Sequence, residues 1–478
     1  MSVVIAFLWA NLLTIISWVI RIGALILVPF RRSPAAARGW LLLFFIAPLP
    51  ALLLFLVIGS PKHPKRRRKL FEELPEILRR AIAKAGITTG EARADLPDRL
   101  DPVADLASGL AGLPAVTGNR IDLLEEYDGS IDALVAEIDR AEHHVHLEYY
   151  IFADDRTGRK IVQAVERARE RGVTCRVLID AIGSIRWVKP VLARLHAAGA
   201  EAHRVLPLGM RSNASRFDLR NHRKIAVIDG KVGFTGSQNI VDAQPDRSAP
   251  PNVELVIRVE GPAVAELQAV FIGDWYLESG TALDEAHLFA PAMDAGDVSA
   301  QFVPSGPDYP IGGIDLLFAA AMNLARDEIV IVTPYFIPNG AILTALTSAA
   351  LRGVKVRIML SRYSDGFLVG NAQRSYYAEL LRAGIEIHLY ENGFVHAKHV
   401  RIDRDIAVIG SCNMDERSFR LNAEASMVCY GPAVAGAVAG IEQRYFDNAT
   451  QLEKESWAQR SLITKTLENS ARLLSDLL

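Results

Sequence analysis

One short pattern occurs twice in this chain, and both copies keep every chemically useful residue. The first is His222-x-Lys224-x4-Asp229, followed by Gly236-Ser237-Gln238-Asn239. The second is His396-x-Lys398-x4-Asp403, followed by Gly410-Ser411-Cys412-Asn413. In each, Lys follows His by two positions, Asp follows Lys by five and Gly follows Asp by seven. Such a strict repeat predicts two related halves that each give one set of groups to a shared site. Two imidazoles able to stay neutral and two ammonium groups suit phosphoryl transfer without a metal.

The likeness extends beyond the motifs. The stretch from Arg171 to Leu178 mirrors that from Arg352 to Met359, and Ala198-Gly199-Ala200-Glu201 mirrors Ala383-Gly384-Ile385-Glu386. Apolar runs such as 173–179 and 354–360 alternate with helical spacing over 158–171 and 340–352. This alternation predicts an α/β fold, a sheet flanked by helices in each half. The halves are expected at 113–290 and 291–478, with the junction between Gly280 and Gln301. Leu452, Trp457, Leu462, Leu467 and Leu473 predict a C-terminal helix packed on the second half.

The chain is 50% hydrophobic, with a mean hydropathy of +0.17. Much of this lies in residues 1–60. Val3 to Ile20, continued after Arg21 by Ile22 to Phe30, and Trp40 to Gly59 are uncharged runs. Each is expected to form a transmembrane helix, which takes about 20 residues. A basic and amphipathic linker is expected over 61–112, with Leu74, Ile77, Leu78 and Ile82 on one helix face and Gly86, Gly90, Pro97 and Pro102 breaking the pattern. The cluster Lys62, Lys65, Arg66, Arg67, Arg68 and Lys69 places the large C-terminal part in the cytoplasm. Arg31, Arg32 and Arg38 between the runs weaken that placement and leave a hairpin whose basic segments share one side as the alternative.

The net charge of −2 gives no general attraction to nucleic acid. Cys175, Cys412 and Cys429 form neither a zinc pattern nor a disulfide framework. His143-His144-x-His146 is read as side chains pointing different ways, so no metal site is expected. No cofactor is expected either.

In a strand, His and Lys two residues apart share one sheet face. The Gly-Ser-x-Asn turn supplies hydroxyl and amide groups suited to phosphate oxygens, which makes Ser237, Asn239, Ser411 and Asn413 candidate substrate contacts. A nucleophilic His needs an acceptor on its other ring nitrogen. Asn252-Val253-Glu254 and Asn422-Ala423-Glu424 offer one candidate per half, Glu254 and Glu424. Asp229 and Asp403 complete the repeated set, but the turn residues after them suit holding backbone or a cation better than touching substrate.

These residues resemble the phospholipase D superfamily, whose hallmark is a duplicated His-Lys-Asp motif. Among its branches the bacterial cardiolipin synthases are most similar, through the two apolar N-terminal runs and the segments 146–152, Ser305-Gly306-Pro307-Asp308, Thr333-Pro334-Tyr335-Phe336 and 410–424. The resemblance implies a bilobed fold with one site between the lobes, a phosphohistidine intermediate and no metal. It also implies phosphatidylglycerol as donor and acceptor, giving cardiolipin and glycerol at a bacterial inner membrane. His222 is then the nucleophile and His396 the acid/base, with Lys224 and Lys398 neutralising the phosphate oxygens. A membrane-bound phospholipase D that makes phosphatidic acid would share every one of these residues. A nuclease of the superfamily is disfavoured by the charge and the apolar runs.

Overall fold

Strands Lys224–Ile228 and Ile406–Gly410 of the two motif hairpins are buried at every position, which requires a sheet covered on both sides. In the computed structural model, residues 2–32, 34–59, 65–84, 94–207, 217–244, 249–283, 285–290, 294–309, 313–364 and 366–473 are described. The first half contains β1 (Val116–Leu124), β2 (His144–Tyr149), β3 (Thr174–Asp180), β4 (Glu201–Val205), β5 (Arg220–Asn221), β6 (Lys224–Ile228), β7 (Val232–Gly236), β8 (Asn252–Val253) and β9 (Val256–Glu260). The second contains β10 (Val298–Ser305), β11 (Glu328–Val332), β12 (Phe336–Ile337), β13 (Lys355–Ser361), β14 (Glu386–Tyr390), β15 (Phe394–Val395), β16 (His399–Ile402), β17 (Ile406–Gly410), β18 (Met414–Asp415), β19 (Asn422–Tyr430) and β20 (Ala449–Gln451).

The repeat is plain in the strand order. The first half runs β1-β9-β7-β6-β2-β3-β4 and the second β10-β19-β17-β16-β11-β13-β14, with β20 added at the edge. In both, the three strands farthest from the join are parallel, linked by helices such as Arg156–Glu170 and Gly340–Leu351. The other neighbours along these two runs pair antiparallel. The halves fuse through β1 and β10, where Val116 faces Ala300, into one sixteen-stranded sheet. Each half has its own apolar core, and a third core with Ile257, Leu267, Val330 and Met427 straddles the join.

The expected pair of N-terminal spans is not shown. Among the described residues no helix is long and apolar enough to cross a membrane. α1 (Ser2–Leu27) is one helix, but the second apolar run divides into α2 (Pro34–Ile46) and α3 (Pro48–Ile58). The break is at Ala47, with φ −138° and ψ 76°, because the ring of Pro48 disfavours helical backbone in the preceding residue. At 1.5 Å per residue these two helices span only about 20 Å and about 16 Å. Trp40, Phe44 and Phe55 pack together between them, and Arg21 donates to the Phe45 carbonyl at 3.1 Å.

The linker holds the expected amphipathic helix and one more. α4 (Lys65–Lys84) places Leu74 and Ile77 against Tyr276. Lys62, Gly86 and Gly90 lie outside the described residues, as do the side chains of Leu78 and Ile82. α5 (Asp101–Ala111) occupies what reads as a broken segment, since Pro102 sits in the first turn of a helix, where a proline costs no hydrogen bond. Its Val103, Ala104 and Ala107 belong to the second half's core.

The tail packs on the second half's core, as expected, through Leu452, Trp457 and Ala471. It forms β20 and two short helices, Lys454–Ala458 and Leu462–Arg472, and it buries Glu468 and Ala471 while Leu462, Leu467 and Leu473 stay exposed. Leucines five and six residues apart do not fall on one helix face.

Gly236 and Gly410 end β7 and β17 where the neighbouring strand lies closest. A Cβ on Gly410 would press into the Ala425 carbonyl oxygen and the Ser426 Cα. Gly410→Ala is therefore expected to lower stability by about 2–3 kcal/mol, read as a reduced midpoint in denaturant or thermal unfolding.

Candidate active site

The two motifs meet at the join by exchanging short strands. β5, just before His222, pairs in parallel with the start of β19, just before Glu424. β8, just before Glu254, pairs in parallel with β15, just before His396. The backbone continues the exchange. The His222 amide donates to the Ala423 carbonyl at 2.8 Å, and the His396 amide donates to the Val253 carbonyl at 2.8 Å.

The side chains cross in the same way. His222 Nδ1 lies 2.9 Å from Glu424 Oε2, and His396 Nδ1 lies 2.7 Å from Glu254 Oε1. Each imidazole is thus held by the carboxylate of the other half. A carboxylate opposite Nδ1 selects the tautomer that carries its proton there and leaves Nε2 as the basic nitrogen. All four groups are buried or nearly so. The Tyr150 ring stands edge-on to His222 at 4.8 Å, and Phe394 lies over His396 at 6.1 Å.

Both lysines fold back onto their own motif. Lys224 Nζ donates to the His222 carbonyl at 2.7 Å, and Lys398 Nζ donates to that of His396. Each imidazole feels both ammonium groups. Burial, with those cations, lowers His222 to about 4 against the pull of Glu424, and it lowers His396 in the same direction. Burial lowers Lys224 to about 7 and Lys398 to about 8, although both glutamates oppose the shift. Burial pushes Glu254 and Glu424 up, but the facing imidazoles and nearby lysines outweigh it and hold both below the usual carboxylate range. The result is two neutral imidazoles on two ionised carboxylates, beside ammonium groups that titrate near neutrality.

The serines have a different place from the one expected of phosphate donors. Ser237 Oγ donates to Glu254 Oε2 at 2.5 Å, and Ser411 Oγ donates to Glu424 Oε2. Each also accepts from the backbone amide after its glutamate, at 3.0 Å. A hydroxyl has one proton, and here it supports the carboxylate rather than facing a substrate. Asn239 Oδ1 accepts from the Ile151 amide at 3.1 Å, whereas Asn413 Oδ1 is buried with no hydrogen-bond partner among the described residues.

Asp229 and Asp403 sit at the far ends of their strands, away from the imidazoles. Asp229 accepts from the amides of Glu142, His143 and His144, and Asp403 from those of Arg326, Asp327 and Glu328. Both adopt positive φ, 54° and 51°, a turn conformation that aspartate tolerates. They tie the start of β2 and β11 to the motif hairpin, which fits backbone anchoring and not catalysis.

The histidine triplet needs a correction too. His144 and His146 lie on one strand face with ring centroids 4.6 Å apart, so their side chains do not diverge. Their surroundings are those of a core. His146 stacks on Phe271 and bonds Gln268, and no group of three or more His, Cys, Asp or Glu among the described residues is placed to hold a metal ion. Sequence reasoning overlooked Tyr150 and Arg223. The second carried a signal, since position 223 breaks the repeat: its counterpart is Ala397.

With this geometry in hand, likeness to known proteins becomes informative. The family described as "Cardiolipin synthase, PLD-like domain" matches residues 134–275 and 318–448. The chain belongs to this family. Cardiolipin synthase A of Citrobacter koseri is 31% identical over 97% of this chain and 99% of its own length. That of Proteus mirabilis is 30% identical over 96% and 97%. Among solved structures, phosphatidylserine synthase of Haemophilus influenzae aligns with 80% of this chain and all of its own, with a TM-score of 0.60. At 14% identity that likeness speaks for the fold alone. As a family member, this cardiolipin synthase homologue is a phosphatidyltransferase enzyme.

The buried lysines are expected to set the alkaline limit of activity. Their depressed affinity for protons means that the cationic form is lost as pH rises through about 7 to about 8. The kcat/KM profile is expected to fall over that window, and the kcat profile at higher pH, because a bound phosphate anion favours the charged lysines. Initial rates between pH 5 and 10 measure both. Glu424→Gln is expected to lower kcat about 100-fold by releasing His222 from its tautomer.

Proposed function

We propose that this enzyme transfers a phosphatidyl group from one phosphatidylglycerol to a second, giving cardiolipin and glycerol. The observation that carries the proposal is the crossed pairing of two imidazoles with two glutamates, each imidazole within electrostatic reach of both lysines. A single phosphodiester between the rings would meet a nucleophile on one side and a proton donor on the other.

In the first step His222 Nε2 attacks phosphorus, a P–N bond forms and the P–O bond to glycerol breaks. His396, which takes up a proton together with the phosphodiester anion, gives that proton to the leaving oxygen. In the second step His396 takes the proton of the acceptor hydroxyl. The alkoxide oxygen bonds to phosphorus, the P–N bond breaks, and both imidazoles return to their starting states. Glu424 and Glu254 stabilise the charge that develops on each ring, while Lys224 and Lys398 neutralise the non-bridging oxygens. The assignment of His222 as nucleophile follows the family resemblance. Both substrates are lipids, so we place the enzyme at a bacterial inner membrane with its site on the cytoplasmic side.

The test is a lipid mass balance with the full chain in phosphatidylglycerol vesicles. Cardiolipin and glycerol are expected in equal amounts, with His222→Ala and His396→Ala each reducing the rate by about 1000-fold or more. Phosphatidic acid as the main product would replace transfer by hydrolysis. An unchanged rate in both variants would remove the mechanism.

A further inference from the structure

The two motifs are not equivalent around their histidines. Between His222 and Lys224 stands Arg223, only 3% exposed, where the second motif has Ala397. The Arg223 guanidinium makes three contacts that no residue of the second motif reproduces. Nε donates to the Glu424 carbonyl at 3.1 Å, one terminal nitrogen donates to the Ser305 carbonyl at 3.3 Å, and the other pairs with Asp274. Glu424 is the residue whose carboxylate holds His222, and Ser305 faces it across the β10–β19 ladder. Arg223 therefore grips, from the first half, the backbone of the second half at the point where the imidazole is oriented.

The grip continues outward. After Ser305 the chain turns at Gly306, with φ +141° and the Tyr309 amide bonded to the Gly306 carbonyl at 3.0 Å. A Cβ at Gly306 would lie 2.8 Å from the Ala423 Cα, so this turn rests on the residue that accepts the His222 amide. The Tyr309 ring lies 6.0 Å from the Arg223 guanidinium on one side and 5.5 Å from the Phe71 ring of α4 on the other. Arg67 of α4, also buried, donates to Asp308 at 3.1 Å and pairs with Glu278. The segment Ser305-Gly306-Pro307-Asp308 thus joins α4 to the His222–Glu424 pair.

We propose that Arg223 is a positioning residue for His222, holding Glu424 in place through its backbone, and that Arg67 on α4 braces the same assembly through Asp308. Among the described residues no side chain donates to the Glu254 carbonyl in the same way, so the effect is confined to one of the two imidazoles. The inference uses the phosphatidyl-transfer reading only for its rate assay.

The experiment uses the full chain in detergent micelles with isotope-labelled histidine, the ring signals of His222 and His396 being assigned with His222→Ala and His396→Ala. Arg223→Lys keeps a cation beside Asp274 but cannot reach both carbonyls with a planar fork. It is expected to displace the His222 ring signals and their titration midpoint while leaving those of His396 in place. It should also lower kcat about tenfold with KM within about twofold, as small misplacements of catalytic groups do. Asp308→Asn, farther out, is expected to give the same selective displacement with about a threefold fall in kcat. Unmoved His222 signals and a wild-type kcat in Arg223→Lys would overturn the proposal, as would equal displacement of both histidines. If Arg223→Lys does not fold, Asp308→Asn decides by the same criteria. The ring signals report on positioning even if His222→Ala retained activity and the transfer reading itself fell.

Discussion

Everything in this protein's site depends on an exchange between halves: each imidazole is oriented by a glutamate from the other lobe. The exchange explains why the sheet is continuous. Two separate lobes could slide, and a slide of one residue along β5 and β19 would move Glu424 to the wrong face of its strand. Fusion through β1 and β10, with a core straddling the join, removes that freedom. The sixteen-stranded sheet is the rigid element on which the crossed pairs are aligned.

Electrostatics follows from the same arrangement. Three ionisable groups from each lobe, a histidine, a lysine and a glutamate, are brought out of water together, and each charge would be costly alone. The glutamates remain charged because imidazoles, lysines and serine hydroxyls surround them. The lysines lose part of their proton affinity because burial strips water from their ammonium groups, although both glutamates oppose the shift. The outcome is a site whose positive charge is weakly held until an anion arrives. This favours a phosphate over a neutral occupant.

Much of the architecture was legible in the sequence because duplication made it redundant. The strict spacing from His222 to Gly236 and from His396 to Gly410 marks equivalent hairpins, and β6–β7 and β16–β17 occupy equivalent places in their halves. Glu254 and Glu424 stood out by the shared Asn-x-Glu. Which histidine each serves was not legible, because spacing within a half carries no information about contacts across the join. The serines misled for a related reason: a Gly-Ser turn has the same composition whether its hydroxyl faces a phosphate or a buried carboxylate. In the N-terminal region hydropathy counted residues but not the backbone break before Pro48. The helix at 101–111 was hidden by a proline that reads as a breaker everywhere except in a first turn.

The crossed arrangement also bears on ancestry. A surface that gives a glutamate to its neighbour's histidine and receives the same in return is self-complementary, the property of a two-fold symmetric dimer. Two identical half-length chains could have assembled this site before any fusion joined them. Covalent linkage then released the copies from having to remain identical, and the contrast between Arg223 and Ala397 is one mark of that release.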